Sequence, residues 1–204
     1  MTHIRAPRLT WPQVRERAEE FRSRYVEPVD RLPVPIVEIV ELKLELSPIP
    51  IYRLLEEIDI DGFLTKDLKS ICVDQDVYEN PRKENRLRFT FAHEAGHLVL
   101  HRKEIQLCRF RTPAEWIHFR EDFEEDDLGW FELQAYEFAG RLLVPRNPMI
   151  QEIEMLSKKI QAYKKLAAGN EEQIVQAVSR LICKKFGVSA EVISRRIKSE
   201  KIKL

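Results

Sequence analysis

The feature that most narrows what this chain can become is FTFAHEAGHLVLH at residues 89 to 101, where three histidines recur every four residues and a glutamate follows the first. Side chains four apart lie above one another on one face of an α-helix. The apolar residues around them mean that this helix packs into an interior, and the pattern predicts it from about Glu84 to His101, after the break at Asn80 and Pro81. Such a helix carries either metal ligands around a catalytic base or polar residues that merely pass through a packed core.

His93 and His97, one turn apart, have the spacing to share a single Zn²⁺ through their imidazoles. Glu94 projects to the side of that pair, where a carboxylate reaches a water activated by the metal rather than the metal itself, so it is the expected general base. Ala95 and Gly96 leave room for a second helix or a substrate backbone, and a glycine in mid-helix, which costs about 1 kcal/mol against alanine, requires some such reason. His101 lies about 12 Å along the axis from His93 and cannot join the same ion; it is expected as a helix-terminal histidine near the last carbonyls, a bystander. A third ligand must come from downstream, where Glu121, Glu124, Glu125, Asp126, Asp127, Glu132 and Glu137 are available. Glu132 is the better candidate because it opens an apolar helix able to lie against the motif helix, although spacing alone does not decide it.

The flanking sequence predicts an α+β chain, mostly helical, with a small sheet before the motif helix. TWPQVRERAEEFRSRYV reads as an amphipathic helix with Thr10 as N-cap and Pro12 in its first turn, and LPVPIVEIVELKLEL as a second helix. LSPIPIY and DGFLTKDLKSICVDQDVY give a small sheet with a hairpin turning near Lys66 and Asp67. Residues 109 to 130, with two tryptophans and the acidic run from Glu121 to Asp127, read as a long loop or lid. FELQAYEFAGRLLVP restores helical period, and the remainder reads as three helices broken at Gly169 and Gly187. The expected division is a metallopeptidase-like core over residues 1–150 and a C-terminal helical extension over 151–204, packed on it.

Composition removes other classes. Basic and acidic residues both number 34, so the chain as a whole has no net attraction for nucleic acid or an anionic membrane. No apolar run approaches the roughly 20 residues of a membrane span, and the N-terminus has no secretory pattern, which makes a cytoplasmic location the expectation. Cys72, Cys108 and Cys183 form no CxxC pair and read as reduced thiols.

RFTFAHEAGHLVLH followed by ELQAYEFAGRLLVP resembles the ImmA/IrrE family of zinc metallopeptidases, in which an HExxH helix is paired with a downstream helix of the form ExxAN-x-FA-xx-LL-x-P. The resemblance implies a zincin-like core, Zn²⁺ held by His93, His97 and Glu132, and Glu94 as catalytic acid/base. It also implies a cytoplasmic endopeptidase of bacterial or prophage type, acting in stress response on a helix-turn-helix transcriptional repressor. With the sequence ending at Leu204, the further sensor domain of longer relatives is not expected, and Mn²⁺ or Fe²⁺ are alternatives to zinc. Two features depart from the family pattern: Tyr136 stands where it has Asn or Asp, and the connection from His97 to Glu132 is long, its excess being the tryptophan-rich acidic segment, a cover for the cleft. KKFGVSAEVISRRI, with Gly187 at a turn and Arg195 and Arg196 beyond it, resembles half of a helix-turn-helix, but a helical pair of this kind is a regular part of the family fold, so direct DNA binding is the lesser expectation. The alternative function is a non-catalytic, antitoxin-like or regulatory binding protein that keeps the peptidase fold.

Overall fold

In this computed structural model, residues 4–107, 125–166 and 170–204 are described. Helix α1, Trp11–Tyr25, opens where Thr10 and Pro12 predict it, the Thr10 backbone N–H donating to Gln13 Oε1 at 2.8 Å. The next helix, α2, spans Ile36–Glu38 and continues as a π-helical turn, Ile39–Lys43. Strand β1, Ser47–Ile51, is followed by the short α3, Leu54–Ile58, and then by β2, Gly62–Leu64, and β3, Ser70–Asp74.

The sheet order is β1-β3-β2, with β1 parallel and β2 antiparallel to β3, so the expected hairpin between β2 and β3 is present. Pro48 and Pro50 lack backbone donors and fit β1 because it is an edge strand. Asp74 ends β3 and ties two helices to it: Oδ1 accepts from Val77 N at 3.1 Å at the start of α4, Gln75–Glu79, and Oδ2 accepts from Leu55 N at 3.0 Å.

The long helix α5, Glu84–Leu100, carries the HExxH motif and packs against β2 on one side. A short α6, Arg102–Leu107, follows. On the other side of α5 lies α7, Glu125–Leu143, which in turn is covered by α1, so the layers run β2, α5, α7, α1. Gly96 is what lets α5 and α7 meet closely: a Cβ there would lie 3.1 Å from Phe138 Cδ1 and 3.2 Å from the Ala135 carbonyl oxygen. The close helix–helix approach explains the mid-helix glycine.

Two expectations need correction. Residues 125–130 are helical, not part of a loop, because Phe131, Ala135 and Phe138 already commit the segment to helical packing and the helix extends N-terminally through Leu128 and Trp130, which also pack on the core; the rest of the supposed lid lies outside the described residues. Among the described residues the C-terminal portion contains four helices rather than three. NPMIQEIEMLSKKIQAYKKLAA breaks at Leu156 into α8, Arg146–Met155, and α9, Ser157–Leu166. They are followed by α10, Glu171–Phe186, and α11, Ala190–Ser199.

One hydrophobic cluster runs from Ile4 to Ile197 and takes in these last helices. Gly187 ends α10 at φ 62°, as the sequence break implies, and Arg88 of α5 reaches that turn: its Nε donates to the Gly187 carbonyl at 2.9 Å and its Nη2 to the Val34 carbonyl at 2.6 Å. Of the two arginines singled out on α11, Arg196 is buried, donating to the Val144 carbonyl and to Glu200, while Arg195 reaches the surface and pairs with Glu191. Cys72 and Cys183 are free thiols, and Cys108 lies outside the described residues. Among the described residues no helix is long and apolar enough to cross a membrane.

Candidate metal centre

His93, Glu94 and His97 come from the middle of α5, and Glu132 from the second turn of α7, directly across the α5–α7 contact. His93 Nε2 stands 3.0 Å from His97 Nε2 and 3.1 Å from Glu132 Oε2, and His97 Nε2 stands 3.7 Å from Glu132 Oε1. A tetrahedral ion bound at about 2.0–2.1 Å places its ligand atoms about 3.3 Å from one another. The separations, taken over the two imidazole nitrogens and the two Glu132 oxygens, bracket that value, so this donor set suits one small divalent cation. His93, Glu94 and His97 also satisfy the spacing of a metal-holding group, their donor atoms lying within 4.8 Å of one another. Of the two carboxylates, Glu132 hydrogen-bonds to the His93 imidazole and lies beside that of His97, whereas Glu94 is turned toward the sheet.

Glu94 is buried, and its Oε2 accepts the backbone N–H of Leu64 in β2 at 2.8 Å. Burial pushes its carboxyl up to about 8, against the opposing pull of His93. Glu132 behaves in the opposite way. Burial alone would raise it, but the hydrogen bond from His93 and the closeness of both imidazoles hold it well below the usual carboxylate range. Burial works to lower His93, yet Glu132 wins and its pKa is raised; for His97 burial wins and its pKa is lowered. The pair of carboxylates is thus split, one held ionised beside the imidazoles and one held protonated until something compensates its charge, an arrangement typical of acid–base sites.

The cleft around these groups, about 310 Å³, is lined by the Asp59–Leu64 segment on one side and by Phe131, Glu132 and Tyr136 on the other. Tyr136 offers His93 no hydrogen bond. Its ring lies edge-on to the His93 imidazole at 6.3 Å, against Phe89 at 4.7 Å, and Arg195 sits over its other face at 5.0 Å. A second cleft of about 390 Å³ opens on the far side of Phe89 and Tyr136.

His101 is not the bystander that helix spacing suggests. It is fully buried, its Nδ1 lies 2.9 Å from His97 Nδ1, and its Nε2 lies 3.2 Å from Gln134 Oε1. Burial drives its pKa down to about 3, so it is neutral at neutral pH. Phe131 stacks on both His97 and His101, at 4.4 and 4.2 Å between ring centres. The interval of four from His97 to His101 was the available signal, since it puts the two rings on one face; nothing comparable marks Gln134, Phe131 or the Leu64 amide. Of the other carboxylates considered, Glu137 is taken by Arg15 at 2.8 Å, Asp127 by Arg8 at 2.8 Å, and Asp126 is exposed. Glu121, Glu124 and the Glu125 side chain lie outside the described residues.

The IrrE N-terminal-like domain family, peptidase family M78, matches residues 49–198, from within β1 to within α11. The chain belongs to that family. Membership in the IrrE-like family points to a metallopeptidase, a hydrolase acting on protein. The match takes in both α5 and α7, and thus every residue of the donor set described above. No curated protein matches this IrrE-like chain.

Proposed function

We propose that this chain is a zinc-dependent endopeptidase in which His93, His97 and Glu132 hold the ion and Glu94 is the acid/base. The observation that carries this reading is the set of three donor residues, with imidazole nitrogens and carboxylate oxygens 3.0, 3.1 and 3.7 Å apart, and a buried carboxylate beside them. A divalent ion bound there supplies a Lewis acid for the scissile carbonyl and lowers the pKa of water. Glu94 takes the proton from the attacking water and delivers it to the leaving amine, the carboxyl turning over from base to acid within one cycle. Its position serves both steps: the Leu64 N–H fixes one oxygen, and the other is left to face the cleft. Glu132 and His93 hold each other in place, and the Phe131 ring screens the His97 side of the site from water.

The substrate is a protein, and by resemblance we assign it to helix-turn-helix transcriptional repressors, whose cleavage in the cytoplasm relieves repression on stress. The test is incubation of the zinc-loaded protein with such repressors encoded near it, followed by intact mass. New fragments that appear with wild type and not with Glu94→Gln support the assignment. Identical, uncleaved masses from both, with zinc bound stoichiometrically, sink the hydrolytic reading.

A further inference from the structure

The candidate ligand His97 sits inside a continuous run of hydrogen bonds whose two ends can only accept. At one end, Gln134 Nε2 donates to the Pro7 carbonyl oxygen at 2.7 Å. A backbone carbonyl carries no proton, so the amide of Gln134 has one orientation, with its Oε1 turned to His101 Nε2 at 3.2 Å. That oxygen is again only an acceptor, so His101 Nε2 carries the hydrogen. A neutral imidazole has one N–H, which leaves His101 Nδ1 as an acceptor, and the atom facing it at 2.9 Å, His97 Nδ1, must donate. His97 Nε2 is then the bare nitrogen.

The other end is compatible with this assignment without fixing it. Glu132 Oε2 lies 3.1 Å from His93 Nε2, and the one hydrogen that nitrogen can carry is directed at the carboxylate, which leaves the 3.0 Å contact between His93 Nε2 and His97 Nε2 no proton of its own to demand. With His101 oriented by Gln134, the opposite tautomer of His97 would set two lone pairs against each other at 2.9 Å. Gln134 and His101 are both fully buried, so water does not replace either contact.

We infer that Pro7, Gln134 and His101 form a directional hydrogen-bond chain that locks His97 in its Nδ1–H tautomer and so presents the Nε2 lone pair to the space between His93 and Glu132. This assigns Gln134 and His101 as positioning residues, acting through His97. It also gives the N-terminal segment a part in the site: Ile4 and Ala6 are buried anchors on either side of Arg5, and Pro7 follows at the chain's contact with α7, although all precede the family match. The inference rests on the proposed reading only in taking His97 as a ligand. A histidine ligand whose second nitrogen donates to a fixed acceptor is the usual way a metal site sets ring orientation; here that acceptor is another histidine on the same helix, oriented in turn by an amide. It supplies the polar partner that the Tyr136 position does not.

The test uses the full-length, metal-free protein labelled with ¹⁵N, in which long-range ¹⁵N–¹H correlation spectra report the tautomer of each imidazole. Wild type should show His97 as Nδ1–H and His101 as Nε2–H. Gln134→Leu, which leaves His101 without its acceptor, should lose the fixed His97 pattern and bind Zn²⁺ about 10–100-fold more weakly in chelator competition. Gln134→Glu, at a pH where burial keeps that carboxyl protonated, can donate its O–H to the Pro7 carbonyl and accept from His101, and should keep both the tautomer and the affinity, which a merely space-filling role for Gln134 does not require. A wild-type His97 found as Nε2–H, or a folded Gln134→Leu protein with unchanged tautomer and affinity, overturns the inference. Should Gln134→Leu fail to fold, the wild-type spectrum and Gln134→Glu decide alone. If the tautomers are as stated but no form binds Zn²⁺, the proposed function falls and the hydrogen-bond chain stands.

Discussion

Leu64 and Glu94 are joined by a hydrogen bond of 2.8 Å from a strand amide to a carboxylate buried in the motif helix, and this bond couples the small sheet to the chemistry of the site. The strand fixes the acid; it does not make the acid comfortable. With a single amide donor and burial opposing its charge, Glu94 rises to about 8.

The metal-free protein should therefore gain stability on Glu94→Gln, and the gain should depend on pH. A carboxyl raised in the folded state is protonated there while its unfolded counterpart, near pH 4.5, is already ionised. Its cost is thus absent below about pH 4.5, grows as pH rises, and is complete above about pH 8. Glutamine keeps the acceptor for Leu64 and carries no charge. Melting curves should show little difference between the two proteins at pH 4.5 and a gap of a few kcal/mol in favour of Glu94→Gln at pH 8.5. A constant gap across that range contradicts the burial of the charge.

Gly96→Ala tests the contact between α5 and α7. Alanine gains about 1 kcal/mol of helix propensity, but its methyl lands 3.2 and 3.3 Å from the backbone of Ala135, which cannot yield as a side-chain tip does. Overpacking of this kind costs about 1–3 kcal/mol, so a net loss of about 1 kcal/mol is expected in denaturant unfolding, with weaker Zn²⁺ binding because Glu132 moves with α7. A stabilised protein would show that the helices have slack between them.

The sequence was most legible where one physical rule dominated. The four-residue histidine interval, the Thr10 start of α1, the Lys66–Asp67 turn and the Gly187 stop each depend on local geometry, and each is where the pattern puts it. Glu132 was the preferred carboxylate because its helix was apolar enough to pack against α5, and it faces both imidazoles. What did not show was long-range. The His101–Gln134–Pro7 contacts join residues 33 and 127 positions apart, and no periodicity encodes an amide's choice of partner. The sequence places Arg195 and Arg196 together beyond the Gly187 turn, and charge patterning does not tell that Glu200, Glu137 and the Val144 carbonyl lie on the buried side of Arg196 alone. The break at Leu156 was missed because no glycine or proline marks it.

Glu132→Gln should separate charge from shape. The amide keeps an oxygen near His93 but removes the anion that raises the His93 pKa, so in ¹H–¹⁵N spectra of the metal-free protein His93 should titrate at lower pH than in wild type. The ion pair contributes stability where both partners are charged. Glu132, depressed, loses its share as pH falls through its folded value, and His93, raised, loses its share as pH rises through its own. The stability difference between wild type and Glu132→Gln should consequently peak at mildly acid pH and shrink on both sides. Unaltered His93 titration would mean that the carboxylate does not face the ring in solution.

Metal removal gives the most direct reading of the donor set. An ion that binds only the folded state stabilises it by RT ln(1 + [L]/Kd), about 2.7 kcal/mol at a hundredfold excess over Kd. Zn²⁺ should raise the melting temperature of the chelator-stripped wild type, by more at alkaline than at acid pH because His93 must give up its proton to bind. The same addition should leave a His93→Ala, His97→Ala double variant unmoved. Glu94→Gln should respond to Zn²⁺ as strongly as wild type, since Glu94 is held by Leu64 and lies outside the three-donor set. A Glu94→Gln protein that no longer responds would put Glu94 among the ligands and move the acid/base role to another residue.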